Sequence, residues 1–211
     1  MLLYYITDRT QLPGTESQRR KYLLKKIAEA AITGVDYVQL REKDLPAREL
    51  EFLAQEAAQA IRDSRSKTRL LINSRTDIAI AAQADGVHLT SNDISPVDVR
   101  KIWRAAHGQD EAIIGVSCHT EAEVIGAERA AADFVVFGPV FQKQGVVEMP
   151  AVGIGQLRKI SRHRIPTFAL GGITMENARL CIEAGTSGVA GIRLFQDNDV
   201  AAVVTQLRAL E

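Results

Sequence analysis

The sequence predicts an α/β fold, a single (β/α)8 TIM barrel spanning residues 1–211 as one domain. Three observations predict it. Short apolar runs without polar alternation recur along the chain, the pattern of strands buried on both faces. Each run is followed by a segment with helical spacing, which makes the strands parallel and covers them on the outside. About eight such units share the 211 residues, at the short end of the barrel's range. The competing arrangement is an open doubly wound sheet, but no Gly-x-Gly-x-x-Gly follows the first strand.

The elements follow in order. Leu2 to Thr7 is the first strand. Ser17 to Thr33 has helical spacing through Leu23, Ile27, Ala30 and Ala31, and Gly34 stops it. Tyr37 to Leu40 is the second strand, and Pro46 opens a long helix through Leu50, Leu53, Ala57, Ala60 and Ile61. Leu70 to Ile72, a short helix from Thr76 to Ala82, and Gly86 to Leu89 come next. Ser95 caps a helix with Pro96 at its first position, and Val99, Ile102 and Trp103 are expected to face inward. Ala112 to Val116 is the fifth strand. Thr120 and Glu123 form a capping box for the helix that follows. Phe134 to Phe137 is the sixth strand, trailed by a long loop from Gly138 to Ala151, which Gly138 and Gly145 are placed to hinge. Gly153 to Ser161 is helical, Thr167 to Leu170 and Val189 to Ile192 are the last two strands, and Asp199 to Leu210 closes the chain as a helix.

Composition narrows the function. Lys and Arg total 26, as do Asp and Glu, so the formal net charge is zero. Such a balance exerts no long-range pull on nucleic acid or an anionic membrane, and any anion site must be local. Two cysteines, Cys118 and Cys181, are too few for a disulfide framework. The first nine residues lack the pattern of a signal peptide, and no apolar run approaches membrane-spanning length. These features point to a cytoplasmic protein acting on a small molecule.

Polar groups cluster after the strands, where such barrels carry their chemistry. Phe168-Ala169-Leu170-Gly171-Gly172-Ile173-Thr174 ends a strand in two glycines before a helical pattern from Met175 to Ala184. Free backbone N–H groups and a helix N-terminus together make a cup for a phosphate dianion. The plainer reading is a strand-to-helix turn that needs Gly for geometry. Replacing Gly172 by Val is expected to weaken phosphate binding with little loss of fold. Gln39, Arg41 and Lys43 alternate at the end of the second strand, which puts the two cations on one side to grip a second phosphate or a diphosphate. The alternative is a solvated turn in which Glu42 and Asp44 pair locally. Asp93 is either a Mg²⁺ ligand or a helix-start residue. His119 is placed to exchange protons near neutral pH, or is an ordinary loop histidine. His88, within a strand, reads as a hydrogen-bonded interior group. Cys118 beside His119 points the other way and reads as packing.

Six segments in register resemble the thiamine phosphate synthase/TenI superfamily: Tyr37-Val38-Gln39-Leu40-Arg41-Glu42-Lys43-Asp44, Leu71-Ile72-Asn73-x-Arg75-x-Asp77, Gly86-Val87-His88-Leu89, Gly115-Val116-Ser117-Cys118-His119-Thr120, Phe137-Gly138-Pro139-Val140-Phe141 and Gly171-Gly172-Ile173-Thr174. The resemblance implies a barrel that binds a phosphorylated hydroxyethylthiazole. The synthase joins that thiazole to a pyrimidine methyl diphosphate and releases diphosphate, through a transition state that resembles a pyrimidine methyl cation. On that pattern Gln39, Arg41, Lys43 and Asn73 hold the pyrimidine diphosphate, Ser117 contacts it and Asp93 binds Mg²⁺. Gly171, Gly172 and the backbone near Ile192 hold the thiazole phosphate. The resemblance also carries the expectation of a homodimer, for which the sequence has no interface signature.

Three positions depart from the synthase pattern. Ser74 stands where the third loop usually carries an Asp, Gln142-Lys143-Gln144-Gly145-Val146 replaces a Pro-Thr-x-Thr-Lys run, and Arg193 replaces a small Ser. The first two changes remove a metal carboxylate and a diphosphate-contacting Lys, for which Lys143 is a candidate substitute. Arg193 either adds charge to the phosphate cup or fills it. The sister TenI-type tautomerases lack these features too. They move a proton within a thiazole phosphate carboxylate, need no Mg²⁺, and would use His119 as acid/base. The sequence reading therefore puts the tautomerase first and the synthase second. A barrel that only binds thiazole phosphate or thiamine phosphate is the third reading.

Overall fold

The computed structural model describes residues 1–142 and 150–210. Lys143, Gln144, Gly145 and Val146, with the expectations attached to them, lie outside the described residues. Eight parallel strands close into a barrel in chain order: β1 (Leu2–Ile6), β2 (Tyr37–Leu40), β3 (Arg69–Asn73), β4 (Gly86–Leu89), β5 (Ile113–Cys118), β6 (Phe134–Phe137), β7 (Thr167–Leu170) and β8 (Gly188–Gly191). Leu3↔Val189 and Tyr4↔Ala190 close the ring between β1 and β8. The helices are α1 (Glu16–Thr33), α2 (Ala47–Asp63), α3 (Thr76–Ala81), α4 (Pro96–His107), α5 (Glu121–Arg129), α6 (Gly153–Ile160), α7 (Ala178–Glu183), α8 (Arg193–Gln196) and α9 (Val200–Arg208).

The strands lack alternation because both of their faces are buried, in different layers. Tyr4, Ile6, Leu71, Phe134, Val136, Phe168 and Ala190 fill the bore. Leu3, Val38, Leu40, Ile72, Val87, Ile114, Val135 and Val189 pack outward under the helices. The bore is aromatic: the Phe134 and Phe168 rings lie 5.0 Å apart, and Tyr4 meets Phe134 edge-on at 5.5 Å. Gly115 makes room for them, since a Cβ there would strike the Phe134 ring and come within 2.8 Å of His88 Nδ1.

Three aspartates staple the N-terminal rim, where the sequence places little else. Asp36, Asp85 and Asp133 accept from the backbone N–H groups of Leu3 (2.7 Å), Leu70 (2.8 Å) and Ile114 (2.7 Å). Each also pairs with an arginine: Arg208, Arg69 and Arg100 respectively.

The capping signals hold. Ser95 Oγ accepts from Val97 N, and Thr120 and Glu123 exchange their capping-box bonds. Thr15 and Gln18 make a second capping box, so α1 begins at Glu16 rather than Ser17. Two expectations need correction. Ile102 is 46% exposed: Pro96, Val99 and Trp103 define the inward stripe of α4, and Ile102 falls about 60° to its other side. Residues 175–177 form a turn, and α7 starts only at Ala178, because Asn177 Oδ1 accepts from Thr174 N (2.8 Å) and holds the chain in a tight turn. α8 and a short 3-10 turn at Arg9–Gln11 were not anticipated. Gly138 N–H donates to Cys118 O, and a Cβ there would overlap the Leu170 carbonyl, so close packing alone requires glycine at this position.

Candidate functional site

Parallel strands put every strand's C-terminal end at one mouth. Gln39, Asn73 and Ser117 lie at the C-terminal ends of β2, β3 and β5, while Arg41, Lys43, Asp93, His119, Gly171, Gly172, Ile192 and Arg193 lie in the segments that follow the strands. The candidates therefore share one rim.

On the β2 side, the expected local pairing of Glu42 and Asp44 with their neighbours does not occur. Both carboxylates turn to Arg9. Its Nη1 lies 3.1 Å from Glu42 Oε2 and 2.6 Å from Asp44 Oδ1, and its Nη2 donates to Asp44 Oδ2 at 2.7 Å. Its Nε donates to Glu16 at 2.6 Å. Glu42 also accepts from Thr7 Oγ1 (2.6 Å) and from the backbone N–H of Arg9. Burial pushes the Glu42 carboxyl up, against the pull of those donors, whereas the Arg9 hydrogen bonds hold the exposed Asp44 below its usual value. This diversion leaves Arg41 and Lys43 without a described carboxylate partner. Arg41 N donates to Thr7 Oγ1 (3.0 Å), and the side chain is half-buried. Lys43 is exposed in the next turn, because β2 ends at Leu40 and the strand spacing that would align the two cations does not continue.

Behind Arg41 a polar chain crosses the bore. Gln39 Nε2 donates to Tyr4 Oη (3.0 Å), which lies 3.1 Å from His88 Nδ1, and His88 Nε2 lies 2.8 Å from Ser117 Oγ. His88 is thus the interior hydrogen-bonded group that its strand position implies. Burial, reinforced by the Arg41 charge, lowers its pKa to about 3, so the imidazole is neutral. Beside it, Asn73 Nδ2 donates to Ser74 Oγ (3.1 Å), and Ser74 Oγ donates to Asp93 Oδ2 (2.7 Å). Thr90 N donates to the same oxygen at 2.6 Å.

Across the mouth, His119 Nδ1 lies 2.6 Å from the Gly138 carbonyl. That contact makes Nδ1 the protonated nitrogen and leaves Nε2 as the basic one, on an exposed ring. Cys118 is buried, its thiol pushed up to about 12, which removes it as a nucleophile. Gly171 and Gly172 take left-handed φ values of 98° and 63°. Val140 N donates to Leu170 O and Phe141 N to Gly171 O, so the chain after β6 lies directly on the glycine turn. A Cβ on Gly171 would come within 2.5 Å of Pro139, and one on Gly172 within 2.8 Å of Phe141. Gly172→Val would therefore disturb the fold as well as the cup. The N–H groups of Gly171, Gly172, Ile173 and Ile192 donate to no other described residue. The helix beyond the glycines starts a turn late, but α8 begins right after Ile192, and the pairing of β7 with β8 sets the two loops side by side at the rim. Arg193 is exposed and does not fill it.

For a metal, the donor set is spare. Among the described residues no three of His, Cys, Asp and Glu gather in a cluster. Asp93 offers one carboxylate with the Ser74 hydroxyl beside it, which suits only an ion that takes most of its ligands from phosphate and water, as Mg²⁺ does. Sequence reasoning missed Arg9, Tyr4 and the Ser74–Asp93 contact. Arg9 and Glu42 are 33 positions apart, and Tyr4 reads as one apolar residue in a strand. No local pattern marks either.

The family model of thiamine monophosphate synthase (TMP-TENI) matches residues 3–195. A putative thiamine-phosphate synthase 2 of Aquifex aeolicus is 38% identical over 194 residues, covering 92% of this chain and 96% of that protein. A thiamine-phosphate synthase of Clostridium novyi is 36% identical over 201 residues, covering 93% and 91%. Among solved structures, thiamine phosphate pyrophosphorylase from Pyrococcus furiosus superposes with a TM-score of 0.81 at 30% identity, over 99% of this chain and 94% of that one. The barrel, its polar mouth and these likenesses agree, and the chain belongs to the thiamine monophosphate synthase family of thiamine-biosynthesis enzymes.

Proposed function

We propose that the chain is a thiamine phosphate synthase, coupling a thiazole phosphate to a pyrimidine methyl diphosphate with release of diphosphate. The departures at Ser74 and in the sixth loop favour the tautomerase in the sequence alone, but the synthase names of the relatives weigh the other way. The observation that carries the reading is the capture of Glu42 and Asp44 by Arg9, which leaves Arg41 and Lys43 for an anion. A tautomerase, whose substrate carries one phosphate and one carboxylate, calls for less cationic charge there than a diphosphate does.

In this reading Arg41 offers its fork and Lys43 a point charge to the diphosphate. Asn73 and Ser117 add neutral contacts, while Gln39, enclosed and bonded to Tyr4, lies beneath the mouth and supports it from below. The free N–H groups of Gly171, Gly172 and Ile192 take the thiazole phosphate. Asp93, with the Ser74 hydroxyl, would hold Mg²⁺, which when bound stabilises charge on departing diphosphate. Arg41 and Lys43 do the same from the protein side, where charge develops as the carbon–oxygen bond breaks.

The test is to give purified protein both synthase substrates with Mg²⁺ and follow diphosphate release. Turnover is expected. Silence in that assay, with isomerisation of the thiazole phosphate carboxylate seen by ultraviolet absorbance, would replace the synthase by the tautomerase. That second reading has its own support in His119, whose Nδ1 contact to Gly138 O leaves Nε2 basic at the rim.

A further inference from the structure

We propose that Tyr4 and His88 are positioning residues that fix the Ser117 hydroxyl as a hydrogen-bond donor into the mouth, aimed at an anionic oxygen of the ligand. The proposal rests on the diphosphate reading above and adds a direction to it. A chain of single hydrogen bonds can run two ways, and its end group is a donor in one and an acceptor in the other.

The direction here follows from the starting group. Gln39 donates its amide N–H to Tyr4 Oη. With the Gln39 amide in this orientation, the Tyr4 proton has one acceptor in reach among the described residues, His88 Nδ1 at 3.1 Å, and any other order would leave a buried O–H unsatisfied. His88 is neutral and carries one N–H, which must sit on Nε2. That N–H donates to Ser117 Oγ at 2.8 Å, so the Ser117 proton is not consumed inside the protein. Ser117 is half-buried at the end of β5, whereas Tyr4, Gln39 and His88 are fully enclosed. Its free proton therefore points to the mouth, where a phosphate oxygen is a matching acceptor. The opposite order would present an oxygen lone pair there, which repels an anion.

The surroundings hold the chain in place. Tyr4 packs on Tyr37, Phe134 and Phe168, and His88 on Phe134. These rings exclude water that would otherwise let the order reverse. Gly115 leaves the space that His88 Nδ1 occupies.

The experiment has two arms. In the ligand-free protein, nitrogen-15 NMR of the histidine rings reads the tautomer of His88 directly. The expected result is an Nε2–H ring, and an Nδ1–H ring overturns the proposal whatever the protein binds. In Tyr4→Phe, which keeps the aromatic packing, the Nδ1–H form is expected to appear. The second arm titrates inorganic diphosphate with Mg²⁺ by calorimetry. Ser117→Ala and Tyr4→Phe are each expected to weaken binding about 2- to 10-fold, with the double variant no worse than Ser117→Ala alone. Full additivity, or a Tyr4→Phe protein that binds as wild type while Ser117→Ala does not, overturns the positioning role. Failure of the wild type to bind diphosphate sinks the synthase reading instead, and the NMR arm still decides the chain's direction.

Discussion

Ser74 is the residue on which the metal question turns. Its hydroxyl donates to Asp93 Oδ2, and it adopts a left-handed backbone with φ of 59°. Asp tolerates that conformation better than most residues, so Ser74→Asp is a fair test that the backbone can absorb. Without metal, the new carboxylate would face Asp93 with the same charge and no shared proton donor, which destabilises. With Mg²⁺, the pair becomes a two-carboxylate site of the kind the ion prefers. The expected outcome is a melting temperature below wild type in chelator, recovered by millimolar Mg²⁺, while wild type responds little to Mg²⁺ alone. Differential scanning calorimetry reads both. A variant indifferent to Mg²⁺ would mean that Ser74 and Asp93 do not define a metal position.

At the scale of elements, the link between the first loop and the β2 loop is an ion cluster with one buried pair. The side chains of Arg9 and Glu42 are 4% and 1% exposed, while Asp44 and Glu16 reach solvent. Removing one partner of a buried pair costs about 3–5 kcal/mol, because the other charge is stranded. Arg9→Leu keeps the volume and strands Glu42. Burial already raises the Glu42 carboxyl in the wild type, and the variant loses the Arg9 donors that oppose it. A carboxyl raised in the folded state is no burden below its unfolded pKa, about 4.3, and erodes stability as pH rises through the folded value. Urea unfolding should therefore show a larger loss for Arg9→Leu at pH 8 than at pH 5. A loss that does not change with pH would mean that Glu42 is not the stranded group. Other element-scale features differ in how readable they are. Thr120–Glu123 and Ser95–Pro96 are local signals, so those helix starts are legible. The late start of α7 is not, since Asn177 bonding back to Gly172 O and Thr174 N is a tertiary choice that a propensity cannot register. α8, with four residues, is too short to show a period.

For the whole molecule, parallel strands under helices were legible because each strand is buried on both faces and each helix on one, a difference that periodicity carries, and the count of about eight units pointed to a closed ring. The convergence of Arg41, Asn73, Asp93, Ser117 and the glycine turn on one mouth follows from that ring, since parallel strands all end on the same side. What periodicity does not carry is which polar groups satisfy one another. Gln39 was legible as a rim residue, yet its partner is Tyr4 in the first strand, and Glu42 beside Arg41 is bound by Arg9. Such pairings are set by register around the ring. The same ring places the β2–β5 polar groups on one arc and the β7–β8 N–H groups on another. Two arcs imply two anion subsites that fill independently. At 100 times its Kd a ligand adds about 2.7 kcal/mol, and a chain of this size gains about 2–4 °C per kcal/mol. Inorganic diphosphate with Mg²⁺, and hydroxyethylthiazole phosphate, should each raise the melting temperature by roughly 5–11 °C at that excess, and together by close to the sum. If the pair gives no more than the stronger ligand alone, the two compete for one pocket. The mouth would then hold one substrate at a time, as an isomerase with a single substrate requires.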